Sequence, residues 1–129
     1  GNVSQEYLTV QDVLPTLLDV AGISHPGRTH RGNTVNPVRG KSFFVHLENR
    51  NLDVHGDEAI GWELQDQRAL VKGDWKIYSS GGESVEWELY NLDKDPGERH
   101  DLSNQYPDRK EDLVKQWFNY AREVGVAFE

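Results

Sequence analysis

Residues 61–97 read GWELQDQRALVKGDWKIYSSGGESVEWELYNLDKDPG, and this stretch decides the fold. Three short runs within it are rich in Trp, Tyr, Val, Ile and Leu, residues that suit a pleated, half-buried surface. The run 68–72 is followed by Gly73 and Asp74, then by 75–78. A two-residue connection containing Gly between such runs signals a tight hairpin, because Gly accepts positive φ without strain. The loop 79–84 then leads to a third run, 87–90. Alternation places Ala69, Val71, Trp75 and Ile77 at odd positions, and Arg68, Lys72 and Lys76 at even ones. Leu70 and Tyr78 share the even set, which predicts one apolar face and one amphipathic face.

Working outward, 57–64 reads as a preceding strand, so the sheet is expected to have about four antiparallel members. Asp93, Pro96 and Gly97 mark a turn. Pro107 suits the first position of a helix, with Asp108, Glu111 and Asp112 complementing its positive end. Leu113, Val114, Trp117, Tyr120, Ala121 and Val124 give that helix one apolar face, and Gly125 ends it. The fold class is α+β, a small antiparallel sheet with a C-terminal helix packed on one face.

The N-terminal third reads differently. Residues 1–8 look irregular, and Thr9 with Asp12 resembles a capping box with Asp in the Glu position. Val10, Val13, Leu14, Leu17, Leu18 and Ala21 recur with helical period over 10–21. Pro15 is costless if Asp12 is the N-cap, and Gly22 is a natural stop. Residues 23–41 show no sustained period and read as a long irregular loop, a length that usually signals function or wrapping around another domain. Residues 42–47 could form a helical turn or a strand, and 49–56 is a polar spacer.

The chain has 129 residues, 36% hydrophobic content and a net charge of −8; its mean hydropathy is −0.77. One small domain, or a domain with part of another, fits that length. The content is low for a self-sufficient globule. The charge is wrong for nucleic acid, and no apolar run approaches the span of a bilayer. With no Cys in the chain, disulfides, thiolate metal sites and a Cys nucleophile are excluded within it, though the compartment stays open. A chain without Met that opens almost directly into a helical pattern reads as an excised piece of a longer protein.

Candidate chemistry is sparse. Asp93, Asp95 and Glu98 resemble a calcium loop, but the Gly and the terminal acidic ligand fall at the wrong positions. No pair of the five histidines has the spacing of a helical metal face. His25 and His30, with Arg28 and Arg31, could line an anion pocket, since Arg forks match sulfate or phosphate; a solvated polar loop is the plainer reading. Glu63, Glu86 and Glu88 beside tryptophans could imitate a sugar-cleaving carboxylate pair, but nothing sets their separation. Trp62, Trp75 or Trp87 could stack sugar rings, or could simply pack in a core. No residue is assigned as catalytic or as a metal ligand.

Five motifs then fall in register. They are DVLPTLLDVAG at 12–22, RGKS at 39–42, GWE at 61–63, RALVKGDWK at 68–76 and WELYNLDKDPGE at 87–98. Together they resemble the C-terminal part of a bacterial arylsulfatase of the alkaline-phosphatase-like sulfatase family, over roughly residues 7–126. The resemblance implies a parent that hydrolyses sulfate esters through a formylglycine and a divalent cation, usually calcium, both carried by the larger N-terminal domain. SHPGR at 24–28 fits the S-x-P-x-R pattern of the modified residue, but it lies after the helix and lacks the family's downstream continuation. It is therefore not read as the nucleophile, and no cofactor is expected in this chain.

The expected organisation is then 1–39 as the tail end of the catalytic domain, including helix 10–21, and 40–129 as the C-terminal subdomain. Trp62, Arg68, Asp74, Trp75, Lys76, Trp87 and Tyr90 become a structural signature, while His25, Arg28, His30 and Arg31 become a possible pocket rim. The expected partner is the missing N-terminal catalytic domain, with self-association of the isolated chain through the 10–21 face; neither nucleic acid nor membrane is expected. A bacterial parent could be periplasmic or cytoplasmic. The alternative is an independent binding module for sulfated glycans.

Overall fold

The computed structural model describes residues 4, 6–48, 53–81 and 85–127, which fall into two compact units, 1–56 and 57–129. Parts of the irregular start, the 49–56 spacer and the 79–84 loop lie outside the described residues.

In the first unit a single 3-10 turn, Val10–Asp12, leads into α1, Val13–Val20. Asp12 is the N-cap of α1, so Pro15 falls in the first turn, where its missing N–H breaks no bond. The Asp12 carboxylate accepts the Thr9 N–H at 2.6 Å, the acidic half of the capping box. The helix closes in a Schellman motif, with Ile23 N–H donating to Leu18 O and Gly22 N–H to Asp19 O. Residues 23–41 are not wholly irregular. They contain a two-stranded ribbon, β1 (Thr29–His30) and β2 (Asn33–Thr34), turned by Arg31 and Gly32. Both turn residues have positive φ, 50° and 81°, the type I′ geometry whose twist matches a two-residue hairpin. The segment 42–47 resolves as helix, α2 (Phe44–Glu48).

The second unit is the expected sheet and helix. Strands β3 (Ile60–Leu64), β4 (Gln67–Lys72), β5 (Trp75–Ser79) and β6 (Glu88–Asn91) pair antiparallel in sequence order. The strand expected over 57–64 begins only at Ile60. Helix α3, Pro107–Val124, opens on its proline and ends at Gly125 in the left-handed conformation.

Register corrects the expected faces. Lys72 pairs with Trp75, and Leu70 with Ile77. A two-residue turn pairs even positions of β4 with odd positions of β5, so parity changes sides at the turn. Leu70, Trp75, Ile77 and Leu89 therefore share the face that packs on α3, through Leu113, Trp117 and Ala121. Ala69 and Val71, with Lys76 and Tyr78, lie on the opposite face. Leu70, Ile77, Leu89 and Trp117 are all fully buried, each worth about 1.5–3 kcal/mol relative to exposure.

Each sheet edge is bonded at one residue. On β6, Leu89 N–H donates to Asp101 Oδ1 at 3.0 Å and Leu89 O accepts the Leu102 N–H at 2.8 Å. On β3, Trp62 O accepts the Trp117 Nε1–H at 3.2 Å. At those two residues the edge backbone is not open to pairing with another chain.

Candidate functional site

The polar centre of the first unit is Asp12. Its carboxylate is fully buried. Besides the Thr9 N–H, it accepts the Thr9 hydroxyl at 3.1 Å, the Lys41 N–H on Oδ1 at 2.8 Å, and stands 2.9 Å from His55 Nε2. One turn later Thr16 Oγ1 donates to Asp12 O at 2.7 Å and accepts the Phe43 N–H at 3.0 Å. The start of α1 thus captures the backbone that leads into α2. The approach is close: a Cβ on Gly40 would stand 2.1 Å from Gln11 O. A second buried imidazole, His46, meets Ser4 Oγ through Nε2 at 2.9 Å. Burial by itself would raise the Asp12 pKa, but the bonds from Thr9, His55 and Lys41 outweigh it and hold the carboxyl below its ordinary range.

A carboxylate so fully engaged is a structural hub, not a base or a metal ligand. Sequence reading gave Asp12 a capping role and left His55 unassigned. The contact links residues 43 apart, with no local pattern to announce it.

The four proposed rim residues lie on or beside the β1–β2 ribbon. His25 is half-buried, and its Nδ1 accepts the Gly27 N–H at 3.1 Å. Arg28, His30 and Arg31 are exposed. Arg28 O accepts the Val35 N–H at 3.0 Å, extending the ribbon by one pair. Ser24 is exposed just before the turn, in a segment ordered by that His25 bond.

In the second unit the signature residues make definite contacts. The Arg68 guanidinium lies 5.4 Å from the Trp117 ring, and that of Arg109 lies 4.6 Å from Trp75. Trp75 meets Tyr106 edge to face, and Trp87 tilts against Trp117 at 5.4 Å. Asp74 O accepts the Leu92 N–H at 2.7 Å. Lys76 Nζ bonds both Glu98 oxygens at 2.6 and 2.8 Å, with the Trp62 and Tyr78 rings 6.0 and 5.7 Å away. Tyr90 is buried, and burial followed by its bond to Glu88 pushes its pKa up to about 12. Trp75 and Trp87 are partly buried and pack against the core.

The acidic turn closes on itself. Asp95 Oδ2 accepts the Arg99 and His100 N–H groups at 2.7 and 2.9 Å. Among the described residues no group of three or more His, Cys, Asp or Glu is arranged to hold a metal ion. Among those residues, too, no helix is long and apolar enough to cross a membrane.

No family model matches the chain. Individual relatives do. A sulfatase of Schizosaccharomyces pombe, described as uncharacterized, is 42% identical over 127 residues, which is 96% of this chain. An arylsulfatase of Clostridium perfringens is 31% identical over 121 residues, 89% of this chain. The chain is a sulfatase-family segment. It spans 23% of the length of each of these relatives. The fold of the sulfatase segment recurs in the crystal structure of Ps i-CgsB, with a TM-score of 0.70 and 21% identity over 90% of this chain and 24% of that one. It recurs also in BT4656, solved with its substrate D-glucosamine-2-N,6-O-disulfate, with a TM-score of 0.60 and 20% identity over 86% of this chain and 23% of that one.

Proposed function

We propose that the chain is the C-terminal part of a sulfuric ester hydrolase, that it packs on the catalytic domain and shapes the substrate pocket, and that it is inactive alone. The observation that carries this reading is identity to two sulfatases over nearly the whole chain, at 42% and 31%. In this reading the segment 1–39 ends the catalytic domain, 40–129 forms the subdomain, and the Asp12 hub ties the two sequence segments together. The partner is the rest of the polypeptide, and the ribbon with His25, Arg28, His30 and Arg31 reaches the pocket rim.

A formylglycine and a divalent cation, the cofactors expected of the parent, do not fit the described residues of this chain. Asp12 is saturated by donors, Asp95 by its own turn, and the imidazole next to Ser24 in sequence, His25, already holds a backbone N–H. In this reading both groups belong to the remainder of the protein.

The test is turnover of an aryl sulfate by the intact protein and by the isolated chain. The intact protein is expected to be active and the chain inert. Turnover by the chain that Ser24→Ala abolished would overturn the proposal, as would an intact protein without sulfatase activity on any sulfate ester.

A further inference from the structure

The acidic surplus of this chain is unevenly placed. Asp and Glu number 22 against 14 Lys and Arg, yet from Val20 to Leu47 the sequence holds Arg28, Arg31, Arg39 and Lys41 and not one Asp or Glu. The β1–β2 ribbon stands in the middle of that stretch, with residues 26–34 all exposed. Side chains alternate across a ribbon, so Arg28 and His30 share one side and Thr29 takes the other. Arg31 sits at the tip, its backbone fixed in the left-handed region beside Gly32. Arg28 and Arg31 are thus carried on a paired ribbon with a defined turn.

We infer that the 28–31 edge of this ribbon is a docking surface for a sulfated polysaccharide, holding sulfates that neighbour the one to be hydrolysed. The inference rests on the sulfate-ester reading for its second clause only. Sulfate esters are permanent anions repeated along a chain, and guanidinium forks match their oxygens while staying charged at any working pH. Two strand residues and the start of the turn separate the Arg28 and Arg31 backbones by at most about 10 Å, a spacing that two successive anions can match. The Debye length is about 8 Å at physiological salt, so a polyanion responds to the local charge of the ribbon more than to the net charge of −8. It is repelled by the carboxylate-rich remainder and admitted where carboxylates are missing.

The test compares the chain with R28S/R31S and with K94S/K115S, a control of equal net charge altered in the second unit. Labelled dextran sulfate, unsulfated dextran and single-stranded DNA are titrated over a series of NaCl concentrations. The expected result is salt-sensitive binding of dextran sulfate alone, weakened roughly ten-fold by R28S/R31S with a salt slope shallower by about two, and unchanged in K94S/K115S. Equal weakening in both variants, binding of unsulfated dextran, or equally tight DNA binding would overturn the proposal.

In the intact protein, R28S/R31S should raise KM for a sulfated polymer by a larger factor than KM for an aryl sulfate. Polymer binding by an intact protein without sulfatase activity would uphold the docking surface and sink the hydrolase reading. Aryl sulfate turnover with no polymer binding would do the reverse.

Discussion

His55 Nε2 stands 2.9 Å from Asp12 Oδ2 across 43 residues of sequence, and the carboxylate between them and the Thr9 and Lys41 amides is fully buried. Asp12→Ala would leave those amides and the imidazole without their acceptor. Each such loss costs about 1–3 kcal/mol, so the first unit should lose on the order of 3 kcal/mol or more. Asp12→Asn keeps an acceptor oxygen and should cost about half as much. Denaturant unfolding followed by amide exchange at residues 9, 41 and 43 reads both effects; a variant with wild-type exchange at those amides would refute the hub.

The same carboxyl sets an acid limit. Its folded pKa lies below its ordinary value, so the stability it contributes is fully present above the unfolded pKa of about 3.9 and is lost as pH falls through the lower folded value. The chain should lose stability below about pH 4, and Asp12→Asn should flatten that limb. Urea midpoints measured across the acid range decide it: parallel slopes in the two proteins would remove Asp12 as the cause.

The second unit was readable from local pattern because its signals are local: two-residue turns, a proline opening a helix, a glycine closing it. Face assignment along β4 and β5 was not, since alternation counted straight through Gly73 and Asp74 ignores the swap of parity that Lys72↔Trp75 pairing imposes. The β1–β2 ribbon escaped for another reason. Its strands are two residues long, too short for periodicity, and the turn uses Arg31 where Asn or Asp is the usual signal. Asp12 with His55 is a long-range contact that one sequence cannot announce. The family resemblance, in contrast, was legible because motifs spaced along the whole chain kept their order.

A Cβ on Gly61 would lie 2.5 Å from the Tyr120 ring, where β3 meets α3. Gly61→Ala must push that ring off its seat, and overpacking of this kind costs about 1–3 kcal/mol. Tyr120→Ala removes the obstacle, so the double variant should cost less than the two single variants summed. Thermal unfolding of the four proteins closes the cycle, and strict additivity would mean that the ring does not set the helix–strand spacing.

Tyr90 should titrate late, at about pH 12. Burial and the neighbouring Glu88 carboxylate disfavour the phenolate, so the folded pKa exceeds the unfolded value near 10. The corresponding stability is fully present below pH 10 and is lost as pH rises through the folded pKa. Tyr90→Phe should remove this alkaline loss. Difference absorbance of the phenolate in the folded chain provides the check, with complete ionisation at pH 11 before any unfolding as the contrary result.

The 3-10 turn and helix α1 together present Val10, Val13, Leu14, Leu17 and Val20 at 86%, 44%, 53%, 60% and 59% exposure. Isolated apolar side chains are ordinary on a surface, but a helical stripe of them marks an interface. In the hydrolase reading the rest of the polypeptide covers this face. Alone, the 129-residue chain should cover it with a second copy, because two such faces bury one another's apolar surface at about 25 cal/mol per Å². Light scattering should therefore give a dimer, and Leu14→Glu with Leu17→Glu should return it to monomer while circular dichroism stays unchanged. The same pair in the intact protein should lower its melting temperature, since there the face is already occupied. A monomeric wild-type chain would count against self-association, and an intact protein indifferent to both substitutions would count against the seam.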